Sequence, residues 1–172
     1  PVAQNYIHDF GMRASSCEKE SELLGFAHLL SFNGTDTFNA ARLAREFGAP
    51  PTVGSSILAL AHRTVQGWKT EDDCFSNLNQ YEVGSYVADC YNFKKALTKL
   101  VALAKNGKTV VVRPDSGDYL KNVELIISTA IKNNLFCLDE KGNKAPTTLK
   151  FIAGDSMNWN KIQAMWDLLD DM

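Results

Sequence analysis

What most limits the fold of this chain is the alternation of short apolar runs with amphipathic stretches across its second half. "VGSYVAD" and "TVVVRPD" read as strands, followed by "YNFKKALTKLVALAKNG" and "YLKNVELIISTAIKNN", which read as helices. "LKFIAGD" and "NKIQAMWDLL" repeat the pair. In the first helix Phe93, Ala96, Leu97, Leu100, Val101 and Ala104 follow the helical period, and Gly107 is the stop. Strands joined through a helix cannot close a tight hairpin, and such crossovers give parallel pairing. The expected fold class is therefore α/β, with a parallel sheet or barrel.

The first half is more irregular. A strand is expected around residues 5–8, then a helix through "SSCEKESELLGFAHLLSF", where Ser15 and Glu18 have capping-box spacing. "FNAARLAREFG" predicts a helix with Phe38, Ala41 and Phe47 on one side and Gly48 at its end. "APPTVGSS" is a loop, and "ILALAHRTVQGW" turns helical at its end. Thr70 with Glu71 starts a charged helix through Tyr81, and residues 134–148 form a loop or hairpin excursion. There is no repeat and no low-complexity segment.

Composition narrows function mainly by exclusion. The chain has 172 residues, 45% hydrophobic and 22% charged, with formal net charge -2, enough for one sizeable core. Without a basic block there is no support for nucleic-acid or membrane-surface binding. No apolar run reaches transmembrane length and the start has none of the parts of a signal peptide, so a cytoplasmic protein is expected. Cys17, Cys74, Cys90 and Cys137 form no CxxC pair and read as free thiols. The chain opens on "PVAQNYI" without an initiator Met. It closes with Asp167, Asp170 and Asp171 crowding a helix C-terminus, where the dipole disfavours negative charge. Both ends thus read as truncated, one partial domain over residues 1–172.

Chemistry concentrates at the strand ends. "VADCYN", "VRPDSG" and "IAGDSM" each close on an Asp before a turn or helix, and three such ends on one sheet edge converge. Ligands bind at the carboxyl ends of parallel strands, although Asp is also a favoured helix N-cap. Phe10 and Arg13 flank the flexible Gly11, Asp36 sits in a Gly-containing turn that opens a helix, and His62 lies on an apolar stretch. Each has a bland reading: Phe10 as core, Arg13 as a solvated charge, His62 as a packed or surface residue. No Walker loop, GxGxxG, HExxH or serine elbow is present.

In chain order, "HDFGMRASS", "GTDT", the His62 segment, "VADCYN", "VVVRPDSGD" and "FIAGDS" resemble the nicotinamide phosphoribosyltransferases, in forms like those of bacteria and phages. The resemblance spans nearly the whole chain and concerns the family's central domain. "HDFGMR", "GTDT" and "RPDSGD" together make it specific. It implies part of an irregular (β/α) barrel of the type II phosphoribosyltransferase kind, incomplete as given. It also implies the joining of nicotinamide to phosphoribosyl pyrophosphate, giving nicotinamide mononucleotide and pyrophosphate in NAD salvage.

By that resemblance Phe10 stacks on the pyridine ring and Asp36 accepts from the carboxamide. Arg113 lies beside base and ribose, Asp115 is the acid near them, and Arg13 serves the phosphate. Gly154 and Asp155 meet the ribose hydroxyls, and His62 is the histidine phosphorylated by ATP. Mg²⁺ accompanies the phosphoribosyl pyrophosphate, with no metal site on the protein itself, and the full-length protein is a homodimer. The chain also departs from the pattern. Ala61-His62-Arg63 stands where the family has Glu-His-Ser, Ala88 and Asn92 where Ser and Asp are common, and Lys150 where Arg is frequent. The family's Gly-rich phosphate loop is expected beyond Met172, so this chain alone is expected to be inactive. Two other readings stand beside this one: a nicotinate phosphoribosyltransferase, and a non-catalytic truncated or degenerate module.

Overall fold

The computed structural model describes residues 7–78, 84–138, 144–154 and 156–172. The chain divides into two compact units, Pro1–Ile57 and Leu58–Met172.

In the first unit β1 (His8–Asp9), helix α1 (Glu18–Leu29), β2 (Gly34–Thr35) and helix α2 (Phe38–Glu46) follow one another. The strands pair in parallel, His8 opposite Gly34 and Asp9 opposite Thr35, and an isolated parallel bridge places Ser55 on the other side of β2. The strand expected at residues 5–8 is described over His8–Asp9; residues 5 and 6 fall outside the described residues. α1 packs on α2 at close range, because a Cβ on Gly25 would meet Ala40 Cβ at 2.6 Å. Only small side chains fit such an approach, so α2 buries Ala40, Ala41, Leu43 and Ala44. Phe38 and Phe47, expected on the inward face with Ala41, are exposed. Gly48 ends α2 with φ 88°, as the sequence predicts.

The expected capping box of Ser15 and Glu18 does not form. A 3₁₀ turn over Gly11–Arg13 engages Ser15, whose Oγ donates to Gly11 O at 2.8 Å. Cys17 becomes the N-cap of α1 without a side-chain bond, and Ser16 donates from both N and Oγ to Glu20 Oε2 at 2.6 Å.

The second unit carries α3 (His62–Gln66), α4 (Glu71–Leu78), β3 (Ser85–Val87), α5 (Phe93–Lys105), β4 (Val110–Arg113) and α6 (Tyr119–Lys132). An antiparallel hairpin of β5 (Phe136–Leu138) and β6 (Lys144–Pro146) follows, then β7 (Leu149–Phe151) and α7 (Trp159–Asp171). The excursion at 134–148 is therefore a hairpin, with residues 139–143 outside the described ones. The charged helix is described to Leu78; Tyr81 also lies outside. β3, β4 and β7 form a parallel sheet in that order. Residues 58–60 run beside β3, through a parallel bridge from Ala59 to Ser85 and a Leu60 N to Ser85 O bond of 2.9 Å. Each strand thus lies next to the preceding one, the order that helical crossovers produce.

α5 packs on β4 and β7, and α6 on β7 and α7. Tyr86, Val110, Val112 and Leu149 from the strands meet Leu97, Leu100 and Ile126 from the helices in one core. In β4, Val110 and Val112 are fully buried while Arg113 stays partly exposed at the strand's end. No described helix is long and apolar enough to cross a membrane. The four cysteines are free thiols.

Candidate functional site

After each strand of the second unit's parallel sheet the sequence has an Asp and, three residues later, a second short polar residue. The pairs are Asp89 with Asn92, Asp115 with Asp118, and Asp155 with Asn158. The second member caps the helix. Asn92 Oδ1 accepts from Lys95 N at 3.0 Å, Asp118 Oδ1 from Lys121 N at 3.3 Å, and Asn158 Oδ1 from Lys161 N at 3.0 Å. The capping reading is therefore overturned for Asp89 and Asp115; Asp155 lies outside the described residues.

Both acids face His62, the first residue of α3. Its Nε2 lies 3.2 Å from Asp89 Oδ1 and its Nδ1 3.9 Å from Asp115 Oδ2. Ser116 Oγ donates to Asp89 Oδ2, so both oxygens of this buried carboxylate are engaged. Arg113 Nη2 donates to Leu60 O at 2.8 Å, while its Nε is buried without a partner among the described residues. A hydrogen-bond donor left open in that way suits a ligand acceptor, since orphaned buried donors are costly. Gly154 follows β7, and a Cβ there would meet nothing within 4 Å among its neighbours. Packing does not explain the glycine.

The departures find partial answers in this geometry. Ala61 offers no carboxylate, but Asp89 supplies one to His62 from the end of β3. Ala88 is wholly buried, and its N donates to Arg113 O at 3.1 Å. Asn92 is occupied as a helix cap. The surroundings are acid-rich: burial, then the charges of Asp72 and Asp89, raises the pKa of Glu71. Burial, then Glu71 and Asp89, pushes the Cys90 thiol up to about 11. Cys90 therefore stays a thiol at neutral pH and is no nucleophile.

The first unit builds a second cluster at the ends of β1 and β2. Asp9 Oδ1 accepts from Gly11 N at 2.8 Å, and Arg13 N donates to Phe10 O at 3.3 Å. This tight turn leaves Phe10 at 42% exposure and Arg13 exposed. Asp36, directly after β2, keeps 43% of its side-chain exposure. Ser56 Oγ donates to Asp36 Oδ1 at 2.5 Å and His8 Nε2 lies 3.4 Å from Oδ2. His8 and Phe10 rings sit 4.8 Å apart, tilted by 39°.

Phe10, Arg13 and Asp36 thus gather in one unit, and His62, Arg113, Asp115 and Gly154 belong to the other. Sequence reasoning missed Asp89, Ser116, His8, Asp9 and Ser56 as individual site residues. For Asp89 the signal was present in the three-residue spacing to a better cap. For His8 and Ser56 there was none, because they meet Asp36 only through strand pairing.

These features define an α/β protein with charged and aromatic side chains presented at the carboxyl ends of parallel strands. Over residues 6–171 the chain matches the nicotinate phosphoribosyltransferase (NAPRTase) family, and it belongs to that family. It is 34% identical over 175 residues to nicotinamide phosphoribosyltransferase of Xanthomonas campestris pv. campestris (strain 8004), covering 92% of this chain and 37% of that protein. It is 29% identical over 132 residues to nicotinamide phosphoribosyltransferase of Acinetobacter baylyi (strain ATCC 33305 / BD413 / ADP1), covering 66% of this chain and 26% of that protein. The chain therefore spans well under half the length of these curated relatives.

Proposed function

We propose that this chain supplies the base- and ribose-binding part of a nicotinamide phosphoribosyltransferase. The observation that carries the reading is the division of labour at the strand ends: Asn92 and Asp118 cap helices, which leaves Asp89 and Asp115 to His62. The names of the two relatives support the same substrate.

In the proposed reaction the pyridine nitrogen of nicotinamide attacks C1 of the ribose, the bond to pyrophosphate breaks, and pyrophosphate leaves with its electron pair. Phe10 gives the ring an aromatic surface. Asp36 accepts from the carboxamide NH₂ and repels the carboxylate of nicotinate, so selection against the acid is built in. Asp115 stabilises the oxocarbenium-like ribose, Arg113 offers its unpartnered Nε–H beside base or ribose, and Arg13 faces the phosphate. Gly154 lets the sugar approach the backbone, and Asp155 accepts from its hydroxyls.

Mg²⁺ carried by the diphosphate would supply charge neutralisation for the leaving group. In the same reading His62 accepts the ATP γ-phosphoryl, and the Asp89 carboxylate 3.2 Å from its Nε2 supports that role. A neutral imidazole has one N–H, and donating it to Asp89 leaves the Nδ1 lone pair as nucleophile; the phosphoryl group moves to that nitrogen and ADP departs. A closed (β/α) barrel, a homodimer of the whole protein and a cytoplasmic location belong to the same reading.

The nicotinate alternative requires a cation against Asp36, and the ion-pair partner found there among the described residues is His8. Calorimetric titration of nicotinamide and nicotinate into the whole protein that carries this chain separates the two. Nicotinamide should bind, nicotinate should not, and Asp36→Ala should abolish the difference. Binding of nicotinate in preference would move the protein to the sister activity. If neither base binds with phosphoribosyl pyrophosphate and Mg²⁺ present, the non-catalytic module becomes the reading.

A further inference from the structure

The Asp36 carboxylate lies between a serine hydroxyl and an imidazole. Ser56 Oγ holds Oδ1 at 2.5 Å and His8 Nε2 stands 3.4 Å from Oδ2. His8 has little freedom of its own. Its ring rests 4.8 Å from that of Phe10, and a Cβ on Gly34 would stand only 2.7 Å from His8 Nδ1. Its side chain retains 16% exposure, and Nε2 is buried without an aligned hydrogen-bond acceptor. At 3.4 Å the two atoms lie within hydrogen-bond distance without being aligned, and a turn of the carboxylate about its own bond is what would complete the bond. A buried imidazole nitrogen without a partner among the described residues is drawn to an acceptor within reach, here Asp36 Oδ2.

We propose that His8 is a positioning and specificity-determining residue for the base. Ser56 alone secures one oxygen and leaves the carboxylate able to swing about its own bond. With His8 on the second oxygen, the remaining lone pairs of Asp36 keep a fixed direction beside Phe10, where a stacked pyridine presents its 3-substituent. A carboxylate held in this way accepts from an amide NH₂ and cannot turn aside to relieve repulsion from an acid ligand. Discrimination between amide and acid thus depends on His8 as well as on Asp36. The proposal rests on the nicotinamide reading above. Ser56 and His8 belong to the same unit as Asp36 and Phe10, so the device is local to the β1–β2 edge.

The test measures kcat and KM for nicotinamide and for nicotinate in the whole protein, with thermal melts of every variant. The variants are His8→Leu, His8→Gln and Asp36→Ala. His8→Leu should raise the KM for nicotinamide about tenfold, the loss of one charge-assisted hydrogen bond. Its kcat should hold, and the preference for amide over acid should narrow. His8→Gln keeps an N–H donor in similar reach and should recover most of the preference. The proposal is overturned if His8→Leu keeps the wild-type KM and preference while Asp36→Ala loses them, or if Gln behaves as Leu does. A merely structural role would show as kcat and melting temperature falling together in both His8 variants. If the wild type prefers neither base and Asp36→Ala changes nothing, the nicotinamide reading falls first and the role of His8 falls with it.

Discussion

Asp36 and Asp89 each accept from one serine hydroxyl and lie beside an imidazole, yet burial separates them. Asp36 keeps 43% of its side-chain exposure and can meet a ligand; Asp89 keeps 8% and serves His62. Glu71 shows the same competition from the other side. It sits in the first turn of α4, where the helix dipole favours a negative charge. Burial wins, and with Asp72 and Asp89 it raises the pKa. The folded state therefore keeps the proton at a pH where the unfolded chain, near its ordinary 4.5, has released it. Stability contributed by this group falls as pH rises from 4.5 through the folded value. Glu71→Gln should raise the neutral-pH melting temperature, and the gain should vanish in acid; equal gains at both pH values would refute the assignment.

At the scale of elements, the turns after β3 and β4 leave Asp89 and Asp115 beside His62 and give Asn92 and Asp118 to the helices. Asn92→Ala should cost about 1 kcal/mol in denaturant unfolding, the usual worth of an N-cap. Asp89→Asn keeps that cap bond and should change the environment of His62 instead, seen as a shifted imidazole resonance in proton NMR. If the two substitutions have the same signature, the division of labour is wrong. α1 and α2 show what local pattern misses. Their packing is set by Gly25 against Ala40, which displaces the aromatic face that periodicity alone favours.

For the whole molecule, the two compact units distribute the thiols unevenly in depth. Cys17 and Cys137 are exposed, Cys74 is buried, and Cys90 is half-buried with its thiol held protonated. Alkylation followed by mass spectrometry should label Cys17 and Cys137 first, and Cys74 and Cys90 only on unfolding. Early labelling of Cys90 would mean that the acid-rich edge around Asp89 is open to reagent. The acid excess at that edge is a property of the assembled sheet: Glu71, Asp89 and Asp115 come from three separate stretches of chain. Net charge, at -2, shows nothing of it.

The amino-acid sequence by itself determined the α/β class, the strand–helix order of the second half and the stop glycines Gly48 and Gly107. Those follow from periodicity and backbone freedom, which are local. It also carried the motifs by which the resemblance points to Phe10, Arg13, Asp36, His62, Arg113, Asp115, Gly154 and Asp155. Only the tertiary structure decided which Asp faces His62, that Ser116 closes on Asp89, and that Ser56 bonds Asp36 with His8 beside it. The physical reason is range. A cap bonds to a backbone N–H three residues away, whereas these side chains meet across neighbouring parallel strands whose register no local spacing encodes.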